Sequence, residues 1–300
     1  MEEMVEKREF PGAQITSLAL FVVSSLFAVY LANIALQVEP SISPTSTTSG
    51  IDYVLYYLVA AIVFSLLLIF LARRYKLNFL KWVFVAAIGL MVFYIWNYLG
   101  LVIANTYTEY YIIIFAAPLV MVLALVFVRT WYVVNIAGFF LTSGMAFVLG
   151  LLLGIWAAAI FLAAFAIYDY ISVYKTKHMI GLAKIALERD LPMLFVFPRD
   201  MSRPVGKIEI GEEGIEGHAA MALGFGDVAF PGIMVVASAV YGMKIGYFYP
   251  FVILPIVGGV AGMVYLIVGN VKKPAPGLPF LNTGVIVGTL LSYFLYVVIH

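Results

Sequence analysis

Residues 223–232 read LGFGDVAFPG and lie inside an apolar run from His218 to Met243 whose one carboxylate is Asp227. That run is long enough to cross a bilayer, which takes about 20 apolar residues. An ionisable group at membrane depth costs at least about 2.5–3.5 kcal/mol on insertion scales, and such groups are functional by default. No basic residue stands near Asp227 in the sequence to offset that cost.

The rest of the chain has the same solvent. Of 300 residues, 64% are hydrophobic and 11% charged, against about 25% charged in a soluble domain. The composition therefore predicts an all-α, multi-pass membrane protein, a single polytopic domain over 1–300, sited in the cell membrane with the lipid bilayer as its partner. Nine apolar runs are long enough to span: 13–36, 51–72, 80–104, 109–128, 131–149, 155–174, 218–243, 247–270 and 279–299. The weakest division is between the fifth and sixth, where only Gly150 and Gly154 mark a turn. With the N-terminus in the cytoplasm, every one of the 17 Lys and Arg except Lys244 falls on the inside, as the positive-inside rule requires. The C-terminus is then outside. The first run is over 20 residues long, beyond the roughly 7–15 of a signal peptide, and reads as a retained helix.

Composition also excludes chemistry. There is no cysteine, so disulfides, thiol catalysis and cysteine-based zinc sites are absent. His178, His218 and His300 show no HExxH spacing. A net charge of +1 sets up no field for nucleic acid. No metal and no cofactor are expected.

One polar segment is long. Residues 175–217 are expected to form a mobile cytoplasmic loop, with an amphipathic helix at 176–190 and short strands at 193–197 (MLFVF) and 207–210 (KIEI) around turn-forming residues. Among polar groups elsewhere, Asp52 and Glu109 fall at outer helix ends, Asn97 and Asn135 are expected to bond across helices, and Lys244 can snorkel.

Two acids remain, Asp227 and Asp169, the latter in AIYDYISVYKTKH (166–178). Counted along antiparallel helices at 1.5 Å per residue, they lie roughly 9 Å and 14 Å from the cytoplasmic edge, at a shared depth. Each could simply bond a tyrosine such as Tyr168 or Tyr170. Two unpaired acids at matched depth favour chemistry instead. Close carboxylates cannot both ionise cheaply and share one proton; one then serves as general base on a water while the other donates a proton to a carbonyl. Gly224 and Gly226 remove bulk beside Asp227 and admit a close approach. Pro231 cannot bond the carbonyl of residue 227, which weakens the helix there. Before the last span, KKPAPGLPFLNTG (272–284) places Pro274, Pro276 and Pro279 in extended backbone, a rigid loop or an edge that could hold another strand.

At these residues the chain resembles the presenilin and signal peptide peptidase family, the GxGD intramembrane aspartyl proteases, and looks most like the archaeal presenilin homologues. Tyr168-Asp169 matches the YD motif of the sixth span and Gly224-Phe225-Gly226-Asp227 the GxGD of the seventh. Pro276-Gly277-Leu278, followed by Pro279, stands where the family has PAL, with glycine in place of alanine. The resemblance implies an aspartic endopeptidase with Asp169 and Asp227 as its catalytic pair, supported by Tyr168, Gly224 and Gly226. It implies substrate docking at Pro276, Gly277, Leu278 and Pro279. Its substrates would be transmembrane peptides or proteins, unwound and added as a strand near 276–279 and the long loop. On this view 1–154 is a scaffold half with five helices and 155–300 a catalytic half with four. Homo-oligomers and partner subunits stay open. The rival is a proton-coupled transporter using the same acids, against which stands the lack of a matching pair of interrupted helices in two halves.

Overall fold

The computed structural model describes residues 11–40, 59, 78–128, 130–171, 192–198, 209–211, 214–216, 219–269 and 277–299. Seven helices there are long and apolar enough to cross a membrane. They are α1 (Pro11–Val38), α2 (Asn78–Ile103), α3 (Tyr107–Phe127), α4 (Trp131–Ile171), α5 (Phe225–Lys244), α6 (Phe248–Gly269) and α7 (Leu278–Ile299). The expected second span, 51–72, lies outside the described residues except for residue 59, as does the helix expected at 176–190.

The expected fifth and sixth spans are the two arms of α4. They meet at Gly154, whose φ of 68° and ψ of 175° are not helical. A side chain would be strained in that conformation, so glycine alone makes the joint. Gly150, one turn earlier, serves close packing instead, letting α4 approach Val236 of α5.

Helix α5 is the most buried of the seven. It lies among α1, α4, α6 and α7, which suits a helix apolar on every side. Without a hydrophobic force between helices in lipid, small residues and polar bonds hold such a bundle. Ser24 of α1 bonds Thr142 at 3.2 Å and Ser143 at 2.9 Å on α4. Helices α6 and α7 touch backbone to backbone: a side chain on Gly284 would collide with the carbonyl of Gly258, and one on Gly288 with that of Leu254. Ser292 adds a 2.8 Å bond to the carbonyl of Pro250. On the outer flank Tyr110 donates to Asn97 across α2 and α3 at 3.1 Å, as expected. Glu109 is the third residue of α3: Thr106 accepts its N–H and its carboxylate accepts from the Asn105 N–H at 2.9 Å, close to a capping box.

Between α4 and α5 the described residues form four short strands, β1 (Leu194–Pro198), β2 (Glu209–Gly211), β3 (Gly214–Glu216) and β4 (Ala219–Gly224). The strands expected at 193–197 and 207–210 correspond to β1 and β2. Strand β1 pairs antiparallel with β4, Phe195 opposite Leu223 and Val196 opposite Ala222, and β2 pairs with β3. This corrects one expectation. The seventh span does not run as helix from 218; residues 219–224 are a strand, and the helix starts at Phe225. An apolar run cannot distinguish the two states. The deciding contact is β1, which takes up the backbone groups of β4 that a helix would have bonded internally.

Candidate active site

Asp227 is the third residue of α5, and Gly224 is the N-cap with extended backbone and no capping side chain. The first N–H groups of a helix have no intrahelical partner. Here the acid itself folds back: the backbone N–H of Gly224 faces its carboxylate, as a third-position acid does in a capping box. A methyl on Gly224 would lie 3.1 Å from Oδ2 of Asp227, so the bare backbone gives the carboxylate room. The depth counted from His218 along a helix therefore does not hold, since the chain reaches Asp227 through strand at about 3.3 Å per residue.

Asp169 lies near the end of the second arm of α4 and is 2% exposed, whereas Asp227 is half-buried. The two acids are within electrostatic reach of each other. Two neighbouring residues of α7's start join them. The N–H of Leu278 donates to Oδ2 of Asp169 at 3.2 Å, and a methyl on Gly277 would lie 3.1 Å from Oδ1 of Asp227. Leu278 opens α7, so its N–H is one of that helix's free donors. Helix starts carry partial positive charge. Two of them, α5 and α7, thus converge on the acids, which is how carboxylates with no basic partner among the described residues are accommodated.

The surroundings fix this geometry. Phe165, one turn before Asp169, stacks on Phe230, one turn after Asp227, with ring centroids 4.4 Å apart. Gly226 leaves room for the Phe230 ring. Asn282, one turn into α7, donates to the carbonyl of Leu162 on α4 at 3.0 Å and is fully buried. Tyr168 is half exposed and meets Phe165 edge-on at 6.3 Å. Pro279 is the second residue of α7, and Leu278 is buried; Pro276 lies outside the described residues. Sequence reasoning missed Phe165, Phe230, Asn282 and the Leu278 N–H. A proline near a helix start, which marks where the first unpaired N–H groups fall, was the one local signal for the last.

The family pattern of signal-peptide peptidase and presenilin aspartyl proteases matches residues 18–298. No curated protein matches the chain. Among solved structures it is similar to a presenilin family intramembrane aspartate protease in space group C222, at 25% identity and a TM-score of 0.68, covering 94% of this chain and 99% of that one. It is also similar to one in space group P2, at 26% identity and a TM-score of 0.63, covering 92% of this chain and 96% of that one. With a family match over nearly its whole length and that architecture around two acids, the chain belongs to the signal-peptide peptidase and presenilin family and is a multi-pass intramembrane aspartic endopeptidase.

Proposed function

We propose that Asp169 and Asp227 are the catalytic pair, with a water between them as nucleophile. The observation that carries this reading is the junction Gly277-Leu278, which faces both acids: the Leu278 N–H bonds Asp169, and the bare Gly277 leaves room for the carboxylate of Asp227. In the working form one carboxylate is ionised and the other holds a proton. The ionised acid takes a proton from water as its oxygen attacks the scissile carbonyl carbon. The protonated acid gives its proton to the carbonyl oxygen, which yields a gem-diol. Collapse of the gem-diol breaks the C–N bond, one acid protonating the leaving nitrogen while the other recovers a proton from a diol hydroxyl. No metal or cofactor enters these steps.

Substrates are transmembrane segments, and they reach this site extended. A helical peptide's carbonyls are engaged in its own backbone bonds, so the segment unwinds before attack. Pro276, Gly277, Leu278 and Pro279 form the docking edge, with Gly224 and Gly226 clearing space beside Asp227 and Tyr168 shaping the lipid side of the pair. The chain crosses the cell membrane nine times, with the N-terminus in the cytoplasm and the C-terminus outside. Residues 1–154 act as scaffold and 155–300 as the catalytic half, divided where Gly154 interrupts α4. The transporter reading of the same acids finds no support in the family match. Purified protein incubated with a single-span peptide, followed by mass spectrometry of the products, tests the proposal; intact peptide after long incubation would overturn it.

A further inference from the structure

Strand β1 has two edges. One pairs with β4. The other is taken by a side chain from the first arm of α4. Asn135 donates through Nδ2 to the carbonyl of Val196 at 2.9 Å and accepts the N–H of Val196 on Oδ1 at 2.9 Å. A side-chain amide carries the same donor and acceptor as a peptide group, so Asn135 occupies the place that a neighbouring strand would fill. One turn along the same face, Gly138 leaves room for the rings of Phe195 and Phe225, which meet edge-on at 4.6 Å. Phe195 is fully buried. The sheet is thus held on α4 by backbone and by side chains together.

The bond pattern says which edge is left. Val196 sends both backbone groups to Asn135, so Val196 and Ala222 are a non-hydrogen-bonded pair, and the backbone groups of Ala222 also point away from β1. Those of Gly224, two residues on, point the same way. The bond from the N–H of Phe225 to the carbonyl of Met193 at 3.2 Å fits this alternation. No strand of the described residues pairs with that outer edge of β4, and it leads through the Gly224 N–H straight to Asp227.

We infer that Asn135 is a positioning residue for substrate: it closes the outer edge of β1 so that an extended segment adds only to the outer edge of β4, in a register that delivers one bond to the acids. The inference rests on the proposed reading that substrates bind as an added strand. Without Asn135, β1 offers a competing edge on the far side of the sheet, and the sheet is free to shift against Asp227.

Two substitutions address this edge without touching the acids. Asn135→Leu removes both bonds. Val196→Pro removes the N–H alone, at a position facing away from β4, where proline is tolerated in an edge strand. Each should displace the cleavage positions of a single-span peptide by one or two residues by mass spectrometry, and the double variant should add little to either. The chain has no cysteine, so trapping is clean. In an Asp227→Asn background, a substrate cysteine should form a disulfide with Ala222→Cys and not with Val196→Cys. Adding Asn135→Leu should raise capture at 196 by about fivefold or more, the scale of one net hydrogen bond. Unchanged products from both variants, or efficient capture at 196 with Asn135 intact, would overturn the inference. Trapping needs no catalysis. If the acid pair were not the catalytic centre, Asp227→Asn would still release products while the preference for 222 over 196 stood, so the two failures are distinguishable.

Discussion

The backbone N–H of Leu278 reaches Oδ2 of Asp169 at 3.2 Å across 109 residues of chain. It is a charge-assisted bond at the start of a helix when Asp169 is ionised. Leu278→Pro deletes the donor and leaves the helix a proline at its first position, which helices accept. A hydrogen bond to a charged group is worth about 1.5–3 kcal/mol, so cleavage should fall by about tenfold or more below that of Leu278→Ala, which loses the same buried side chain but keeps the N–H. Equal turnover in the two variants would show that the contact positions nothing.

Asp169→Asn and Asp227→Asn should each abolish cleavage. Asparagine keeps the shape of the side chain and ends proton transfer. Among the described residues neither acid has a basic partner, so replacing one strands no opposite charge there and neither variant should lose stability. Product formation by a well-folded single variant, checked by mass spectrometry beside a thermal melt, would remove that acid from the mechanism.

The α6–α7 contact sets where Gly277 and Leu278 sit. Gly284→Leu inserts a side chain against the backbone carbonyl of Gly258. Overpacking costs about 1–3 kcal/mol or more. The expected outcome is a lowered melting temperature together with reduced cleavage, since moving α7 withdraws its first N–H from Asp169. Gly284→Ala should fall between. Equal melting and activity in all three proteins would mean that the helices part without consequence for the site.

Activity should be bell-shaped in pH, because the reaction needs one acid ionised and the other protonated and fails when both are in the same state. Peptide isosteres with a hydroxyl at the scissile carbon should inhibit, by placing that oxygen where the tetrahedral intermediate has one. Chelators and serine-directed reagents should have no effect. A flat pH profile, or loss of activity on chelation, would argue for different chemistry.

Much of this protein is legible without coordinates. Hydropathy is a local property, and lipid is a uniform solvent, so the runs behind α1, α2, α3, α6 and α7 can be read off residue by residue. The acids Asp169 and Asp227 stand out because charge in such runs is costly, and the glycines around Asp227 mark a close approach. Even the joint at Gly154 was readable as a weak point between two spans. What tertiary structure alone decided is the identity of partners. The run 218–243 carries no sign that its first residues are strand, because only β1 turns them from helix. Asn135 was expected to bond another helix and instead bonds both backbone groups of Val196, 61 residues away. The pairing of Asp169 with the start of α7 likewise rests on α6 and α7 meeting at glycines and on Asn282 reaching Leu162. A sequence states which groups must find partners in a medium without water; which partners they find depends on contacts between segments far apart in the chain, and those exist only once the helices have packed.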